Sequence, residues 1–146
     1  SDELRGALCA AAVTCVDHLA PSQLPGFLYS FTRLALTDAG MFAGSAARLA
    51  LAAQELGPRE LSLSLFALGE STREVNSPPA AQTHLARLLE EVAYGASFFP
   101  PQDAIRALLA LCVLRHFEPR LVLPLVRQSV RIPRSSLLEA DDNSLH

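Results

Sequence analysis

The sequence predicts an all-α protein, a short α-solenoid of helical hairpins with about seven helices. Half of its 146 residues are hydrophobic and 18% are charged, which is enough apolar surface to build the core of one domain. Alanine and leucine dominate the hydrophobic residues, and both favour helix. Three segments that begin at Pro21, Pro58 and Pro101 carry one shared pattern, so a repeated unit is expected to organise the chain.

Each repeated segment has the features of a helix start. The three prolines are 37 and 43 residues apart, by subtraction of their numbers. A proline in the first helical position loses no intrahelical hydrogen bond, and an acceptor in the first turn suits the unpaired backbone N–H groups. Such an acceptor follows two residues after each proline, as Gln23, Glu60 and Asp103. We therefore expect helices to begin at Pro21, Pro58 and Pro101.

An apolar stripe runs along each of these helices at positions i, i+4 and i+7, the spacing of one buried helix face. We expect Leu28, Leu65 and Leu108 to be equivalent core positions in the middle of that stripe. The stripe is widened by Tyr29, Phe66 and Leu109 and is followed by the small residues Ser30, Ala67 and Ala110. Its members are Leu24, Leu28 and Phe31, then Leu61, Leu65 and Leu68, then Ala104, Leu108 and Leu111.

A break and a second helix follow each stripe, so the predicted unit is a helical hairpin. The second helices are expected from Asp38 to about Leu56, from Asn76 to about Tyr94, and from residues 116–119 to just before Pro133. The longer middle spacing is explained if residues 70–77 are an inserted loop, because surface loops lengthen at small cost.

Residues 1–19 predict one more helix, which would complete a preceding hairpin. Its apolar face is expected to hold Leu4, Leu8, Cys15 and either Ala11 or Ala12. We therefore divide the chain into a helical-repeat domain of residues 1–136, with hairpins starting near 21, 58 and 101, and an acidic tail of residues 137–146. The alternative is a helical bundle without a repeat, in which the three prolines coincide by chance.

Charge is distributed unevenly along the chain. All 12 basic residues are arginine. Residues 1–103 carry six of them against 11 acids, residues 104–136 carry six against Glu118 alone, and the tail carries three acids. The last hairpin is therefore expected to be the basic part of an otherwise acidic protein.

The last hairpin also predicts a basic stripe. Arg120, Arg127 and Arg131 are separated by seven and four residues, which places them within a narrow arc of one helix face. Pro124 would bend that stripe unless the helix begins near it. A solvated face paired with acids of a neighbouring helix is the alternative. The candidate RNA-binding residues are Arg106, Arg115, Arg120, Arg127, Arg131 and Arg134.

Motifs of catalysis, cofactor binding and metal binding are not seen in the sequence. The seven glycines are scattered, the three cysteines contain no CxxC pair, and the four histidines have no metal-ligand spacing. Cys112 occupies a small-residue slot shared with Thr32 and Gly69, which predicts a packing role. No apolar stretch reaches the ~18–20 residues of a membrane span. We expect no enzyme, cofactor, metal or small-molecule substrate.

The repeated unit resembles a family. Its pattern is Pro-x-[Gln/Glu/Asp]-Leu-x-x-x-Leu-[aromatic]-[Ala/Ser]-[Leu/Phe] followed by a variable loop and a second amphipathic helix, over about residues 20–133. This is similar to the octotricopeptide and heptatricopeptide repeats of organellar RNA-binding proteins and to the FAST-kinase-like proteins associated with RAP domains. The resemblance implies an α-solenoid in a mitochondrion or plastid that acts in RNA processing, RNA stability or ribosome structure.

Two functional hypotheses follow. The first is a non-catalytic subunit of an organellar ribonucleoprotein, most simply the mitochondrial ribosome in the matrix, whose basic last hairpin contacts ribosomal RNA while the rest packs on neighbouring proteins. The second is a protein-binding adaptor or a structural subunit of another organellar complex. Salt dependence of RNA binding separates them, because phosphate contacts weaken steeply with salt.

Overall fold

The computed structural model describes residues 2–74 and 79–131, and over these residues it contains helices and connecting turns but no β-strand. This confirms the predicted all-α class with seven helices. Two 3₁₀ turns, Ala53–Glu55 and Ala96–Phe98, follow the third and fifth helices. The helices are α1 (Asp2–Val16), α2 (Leu24–Arg33), α3 (Ala39–Leu51), α4 (Pro58–Glu74), α5 (Pro79–Gly95), α6 (Pro101–Leu114) and α7 (Pro119–Ser129).

The helices lie in two layers. We name α2, α4 and α6 the A helices, because each is the first helix of a hairpin, and α1, α3, α5 and α7 the B helices. In the A layer α4 packs between α2 and α6, and in the B layer α3 packs on α5 and contacts α1, while α5 contacts α7. The two layers are joined within each hairpin, where α2 contacts α3, α4 contacts α5 and α6 contacts α7. This order is that of stacked hairpins, and their arrangement as a superhelical solenoid stays a prediction.

Burial repeats in register with the prolines. Counting back from each proline, the fifth residue before it is Val16, Ala53 or Ala96, and all three are buried. The ninth residue before it is also buried in all three cases, as Ala12, Leu49 and Val92. Since Ala12 and Val16 of α1 match buried positions of α3 and α5 and of the 3₁₀ turns that follow them, α1 occupies the place of a B helix, as expected from the sequence.

The expected start of α2 at Pro21 is wrong by three residues. Pro58 and Pro101 are the first residues of α4 and α6, but α2 begins at Leu24. Residues 21–23 form a turn in which the backbone N–H of Gln23 donates to the carbonyl of Ala20 at 2.9 Å, and the Gln23 side chain accepts from the N–H of Ala20 at 2.9 Å. Pro25 then falls in the first turn of α2, where a missing N–H costs no hydrogen bond.

The apolar stripes face the core in the first two hairpins and only partly in the third. The equivalence of Leu28, Leu65 and Leu108 needs correction, because Leu28 and Leu65 are fully buried whereas Leu108 is partly buried. The reason is that α6 ends the described A row, so no further A helix covers its far side. The remaining stripe residues are buried, namely Leu24, Phe31, Leu61, Leu68, Ala104 and Leu111.

Equivalent helix ends support the repeat. Ala35 and Arg115 each lie 14 residues after their proline and adopt left-handed backbone conformations, with φ of 56° and 54°. The N–H of Leu36 then donates to the carbonyl of Phe31 at 3.1 Å, and the N–H of His116 donates to that of Leu111 at 3.0 Å. These are the backbone bonds that close a helix with a left-handed residue just beyond its end.

The middle hairpin lacks this early end, and the predicted loop of residues 70–77 is partly wrong. Helix α4 continues to Glu74, so residues 70–74 are helical, while residues 75–77 lie outside the described part. The polar side chains that suggested a loop are compatible with helix because they bond to it. Ser71 donates to the carbonyl of Leu68 at 2.8 Å, and Thr72 donates to that of Gly69 at 2.7 Å.

Two other helices, α3 and α7, are shorter than predicted, and α1 exposes most of the face that was predicted to be buried. Helix α3 ends at Leu51, and the chain then forms a 3₁₀ turn that places Leu56 in the core. Helix α7 ends at Ser129. In α1 the predicted face is largely exposed, since Leu4, Leu8 and Cys15 face solvent and the buried residues are Ala12 and Val16. No described helix covers the outer side of α1, which explains the difference.

Candidate interaction surface

Arg106, one of the six predicted RNA-binding residues, holds two A helices together. Its guanidinium lies 3.0 Å from the Asp103 carboxylate one turn earlier and donates to the Ser62 hydroxyl of α4 at 3.1 Å. The side chain is only partly exposed. Because its charge is paired and its position is fixed between α4 and α6, the structure assigns it to packing and does not bring it to the other arginines.

Arg115 and Arg120 lie at the end of the last hairpin where α6 meets α7. Arg115 is exposed and provides the left-handed residue that closes α6. Arg120 pairs with Glu118, and Nε2 of His116 lies 3.2 Å from the other oxygen of the same carboxylate. Partial desolvation raises the pKa of Glu118, but the hydrogen bonds and the Coulombic attraction of Arg120 and His116 together outweigh it and hold that pKa below its usual value.

Arg127 and Arg131 lie toward the opposite end of α7. Arg127 is exposed in the last turn, and Arg131 is exposed two residues beyond the helix, where its N–H donates to the carbonyl of Gln128 at 3.2 Å. Helix α7 runs through Pro124, so Arg120 and Arg127 share one face about 10 Å apart along the axis. Within residues 2–74 and 79–131, neither Arg127 nor Arg131 forms an ion pair.

The six arginines therefore form no single patch. Arg131 borders a depression of about 440 Å³ at the N-terminal end of α6, next to Pro101 and Asp103. Arg115 lies at the other end of the same 14-residue helix, about 20 Å away by helical rise. The predicted stripe of Arg120, Arg127 and Arg131 is therefore not extended by Arg106 or Arg115. Arg134 and the acidic tail of residues 137–146 lie outside the described residues.

An exposed apolar surface accompanies these arginines, and the sequence analysis missed it. We name it the terminal face. Val126 is 42% exposed, whereas its equivalent in the first hairpin, Ala46, is 2% exposed. Ile105 of α6 is 47% exposed, whereas its equivalent in α4, Ser62, is fully buried. The terminal face consists of Ile105 and Leu109 of α6 and of Leu123, Val126 and Val130 of α7.

A signal for this surface was present in the sequence. Asp38 and Glu118 both lie 17 residues after their proline and both precede a B helix, so α3 and α7 align from these positions. The alignment places large apolar residues in α7 where α3 has alanine. The pairs are Leu123 with Ala43, Val126 with Ala46, and Val130 with Ala50.

A second apolar depression, the α1–α2 groove, lies at the other end of the layers. It has a volume of about 300 Å³ and is lined from α1 by Leu8, Ala11, Ala12 and Cys15 and from α2 and the turn after it by Phe27, Phe31, Leu34 and Leu36. The side chain of Arg5 donates to the carbonyl of Ala35 and ties α1 to the end of α2. The guanidinium of Arg48 donates to the carbonyl of Val16 at 2.9 Å and also to that of Leu19. These bonds fix α1 beside the groove.

The packing role predicted for Cys112 is wrong. Its side chain is exposed on the uncovered side of α6, whereas its equivalent Gly69 is buried between α4 and α6. Arg87 pairs with Glu91 at 3.0 Å, as expected for residues one turn apart.

Over the described ranges no cluster of three histidine, cysteine or acidic residues could hold a metal ion. No helix in that same part is long and apolar enough to cross a membrane.

Comparison with protein-family models, curated proteins and solved structures finds no match to this chain. The resemblance to organellar helical-hairpin repeats therefore stays a prediction that rests on the repeated unit.

Proposed function

We propose that this chain is a non-catalytic helical subunit of a larger assembly and that its terminal face docks on a neighbouring protein. The observation that carries the proposal is the exposure of large apolar side chains where the inner hairpins are covered. Val126, for example, is 42% exposed, whereas its equivalent Ala46 is buried. Exposed apolar surface bordered by polar residues is typical of protein-binding surfaces.

The charges around the terminal face specify the chemistry of the partner. Arg120 and Arg127 lie along one side of the apolar row of α7, and Arg131 lies at its end. Arginine is enriched in protein interfaces, because its planar fork binds carboxylates and its stem covers apolar surface. The partner surface is therefore apolar at its centre and acidic at its edge.

Paired substitutions test this docking. Leu123→Asp and Val126→Asp place charge on exposed positions of α7, so the fold is retained while apolar contact is lost. Leu51→Asp is the matched control, because Leu51 is 91% exposed at the end of another B helix. Proteins that copurify with the wild type and with Leu51→Asp, and that are lost with both α7 variants, support the proposal. Copurification that is unchanged in the α7 variants contradicts it.

A second candidate function is the RNA-contacting subunit of an organellar ribonucleoprotein, most simply the mitochondrial ribosome. It is favoured by the exposed Arg127 and Arg131, which form no ion pair with the part of the chain that the structure describes. Such arginines would bind phosphate and set position without reading bases. Location in the mitochondrial matrix comes with this candidate, and imaging of the full-length protein tests it.

A triple variant separates the two candidates. Replacing Arg120, Arg127 and Arg131 with Gln is expected to weaken binding about equally for unrelated RNA sequences. It should also flatten the slope of log affinity against log salt by up to about 0.7 per lost phosphate contact on single strands. Leu51→Asp is again the control. If RNA binding and its slope are unchanged in a folded triple variant, the RNA candidate is rejected and the protein-docking proposal stands alone.

A further inference from the structure

The turn between α6 and α7 combines an exposed aromatic ring with exposed arginines. We name residues 115–120 the α6–α7 turn. Phe117 is 64% exposed there, and Arg115 and Arg120, two residues before it and three residues after it, are also exposed. Within residues 2–74 and 79–131, Arg115 forms no ion pair. The chain therefore places a phenyl ring between two guanidinium groups at one end of the last hairpin.

The equivalent turn of the first hairpin shows that the backbone does not require these side chains. Ala35 and Arg115 have nearly the same left-handed φ, 56° and 54°. Residues 35–40 nevertheless contain neither arginine nor an aromatic residue, and Thr37 stands where the last hairpin has Phe117. A left-handed residue beyond a helix end is usually glycine or asparagine, so arginine is not placed there by backbone preference. The fold alone does not account for the composition of the α6–α7 turn.

The α6–α7 turn is held from both sides. The N–H of His116 bonds to the last turn of α6, and the N–H groups of Leu121 and Val122 donate to the carbonyl of Glu118 at 3.0 Å each. The Glu118 carboxylate binds both Arg120 and His116, which keeps their side chains at the turn. A ligand therefore meets groups that are already positioned, and binding loses little entropy in ordering them.

Phe117 differs from the other exposed aromatic residues in its charged neighbours. Among the residues that the structure describes, the exposed aromatic residues are Tyr94, Phe98 and Phe117. Only Phe117 has arginine within three residues, since Tyr94 has Glu91 at that distance and Phe98 has no charged residue there. Aromatic rings that stack on bases and arginines that bind phosphates are the combination found in sites for single-stranded nucleic acid.

We infer that the α6–α7 turn binds single-stranded RNA, with one base stacked on Phe117 and the adjoining phosphates bound by Arg115 and Arg120. A ring can stack on any base, and the planar fork of arginine binds phosphate at two points. The RNA is single-stranded because the bases of a duplex are stacked on one another and are not open to a protein ring. Arg127 lies on the same face of α7 as Arg120, about 10 Å along the axis, and extends the path of the phosphate backbone.

The first test measures binding of a short fluorescein-labelled oligouridylate to the full chain by fluorescence anisotropy. Phe117→Ala should weaken this binding at least about 5-fold, as expected for loss of a stacked base. Phe98→Ala is the matched control, because it removes an exposed ring that has no arginine beside it, and it should leave binding unchanged. Binding of an RNA duplex should not respond to Phe117→Ala. Equal affinity of Phe117→Ala and wild type for the oligouridylate would overturn the inference.

Salt dependence separates stacking from phosphate contact. Phe117→Ala should leave the slope of log affinity against log salt unchanged, because a stacked ring releases no counterions. Arg115→Gln should flatten that slope by up to about 0.7, the value for one phosphate contact on a single strand. An unchanged slope in Arg115→Gln contradicts the phosphate contact at this turn.

Conservative variants separate stacking from simple apolar contact. Phe117→Tyr keeps the aromatic ring and should bind like the wild type, whereas Phe117→Leu keeps apolar surface without a π-face and should be as weak as Phe117→Ala. Equal affinities of the tyrosine and leucine variants would show that no base stacks there and would overturn the inference.

A fluorescence signal reports the stacked base directly. The chain contains no tryptophan, so Phe117→Trp introduces a single indole at the α6–α7 turn. The oligouridylate should quench its emission, because the base stacks on the ring. Phe98→Trp is the control and should show no quenching. Equal quenching in both variants, or none in Phe117→Trp, contradicts the inference.

This site rests on the proposed RNA candidate, but the two fail in different ways. Absence of saturable binding by the wild type rejects both. Binding that is weakened by Arg127→Gln with Arg131→Gln, but not by the Phe117 variants, overturns the α6–α7 turn alone. An oligoglutamate peptide tests the other class of ligand. If Phe117→Ala and Arg115→Gln weaken its binding as they weaken that of RNA, the turn is a site for acidic protein segments and the assignment to RNA is overturned.

Discussion

The middle and last hairpins place residues in the same register but differ in what covers them. Ser62 and Gly69 of α4 are buried against α6, and their equivalents in α6, Ile105 and Cys112, are exposed. The backbone positions are equivalent, so the difference arises from the neighbours. Position in the row of helices therefore decides whether an apolar residue belongs to the core or to a surface that can bind another molecule.

The largest effect that tests this comparison is expected at Leu65. Its side chain is fully buried in the middle hairpin, so Leu65→Ala should lower the free energy of unfolding by about 2–5 kcal/mol through lost burial and a residual cavity. Leu108→Ala should cost less, because the equivalent side chain in α6 is partly exposed. Urea unfolding with an unchanged m value measures both.

Leu109→Ala is the control for these two variants, because Leu109 is exposed on α6. Surface substitutions of this kind usually stay within about 0.5 kcal/mol of the wild type. If Leu65→Ala and Leu109→Ala shift the unfolding midpoint equally, the assignment of Leu65 to the core is wrong.

A smaller effect is expected from enlarging the equivalent residues Gly69 and Cys112. A Cβ on Gly69 would lie 3.3 Å from Cγ of Leu114 and 3.5 Å from Cγ1 of Val113, so a leucine there must displace α6. Gly69→Leu should therefore cost about 1–3 kcal/mol, as overpacked cores do. Cys112→Leu should stay within about 0.5 kcal/mol, because Cys112 is exposed.

Thermal unfolding of the two leucine variants provides the comparison. The difference between the two destabilisations measures the effect of the neighbouring helix, since both changes introduce the same side chain at the same place in an A helix. Equal destabilisation would mean that α6 is covered in solution on the side that carries Cys112. That result would point to self-association through the terminal face, which sedimentation would detect.

The sequence predicted the features of the fold that depend on local chemistry. Pro58 and Pro101 begin helices because a proline suits the first helical turn wherever it occurs. The apolar stripes also predicted the core, because a spacing of i, i+4 and i+7 defines one face of a helix regardless of its neighbours. The predicted helix start at Pro21 is wrong because Pro25 occupies the first turn of the helix instead. The sequence alone does not show which of the two prolines lies in that turn.

The candidate site was less predictable because its properties depend on contacts between distant residues. Arg106 is 44 residues from Ser62 in sequence, so its place between α4 and α6 follows only from the packing of these helices. The exposure of Val126 likewise depends on the end of the A and B layers. The repeat register, however, would have shown that valine replaces the buried Ala46, which is a signal for a surface with a different role.

The smallest effect is expected at the residues that precede the B helices of the first and last hairpins. Asp38 accepts a hydrogen bond from the N–H of Met41 at 2.8 Å and caps α3, whereas Glu118 makes no such cap and instead binds Arg120 and His116. Desolvation raises the pKa of Glu118, and the hydrogen bonds and Coulombic attraction of Arg120 and His116 together lower it by more, so the folded-state pKa lies below the ordinary glutamate value. The stabilisation is therefore present above the unfolded-state pKa and is lost as the pH falls through the folded-state pKa.

NMR titration of the Glu118 side-chain carboxyl should show this lowered pKa, and Arg120→Gln should raise it toward the ordinary value. A titration curve that is unchanged by Arg120→Gln would show that the pair does not persist in solution, and Arg120 would then be as free as Arg127 to bind a partner.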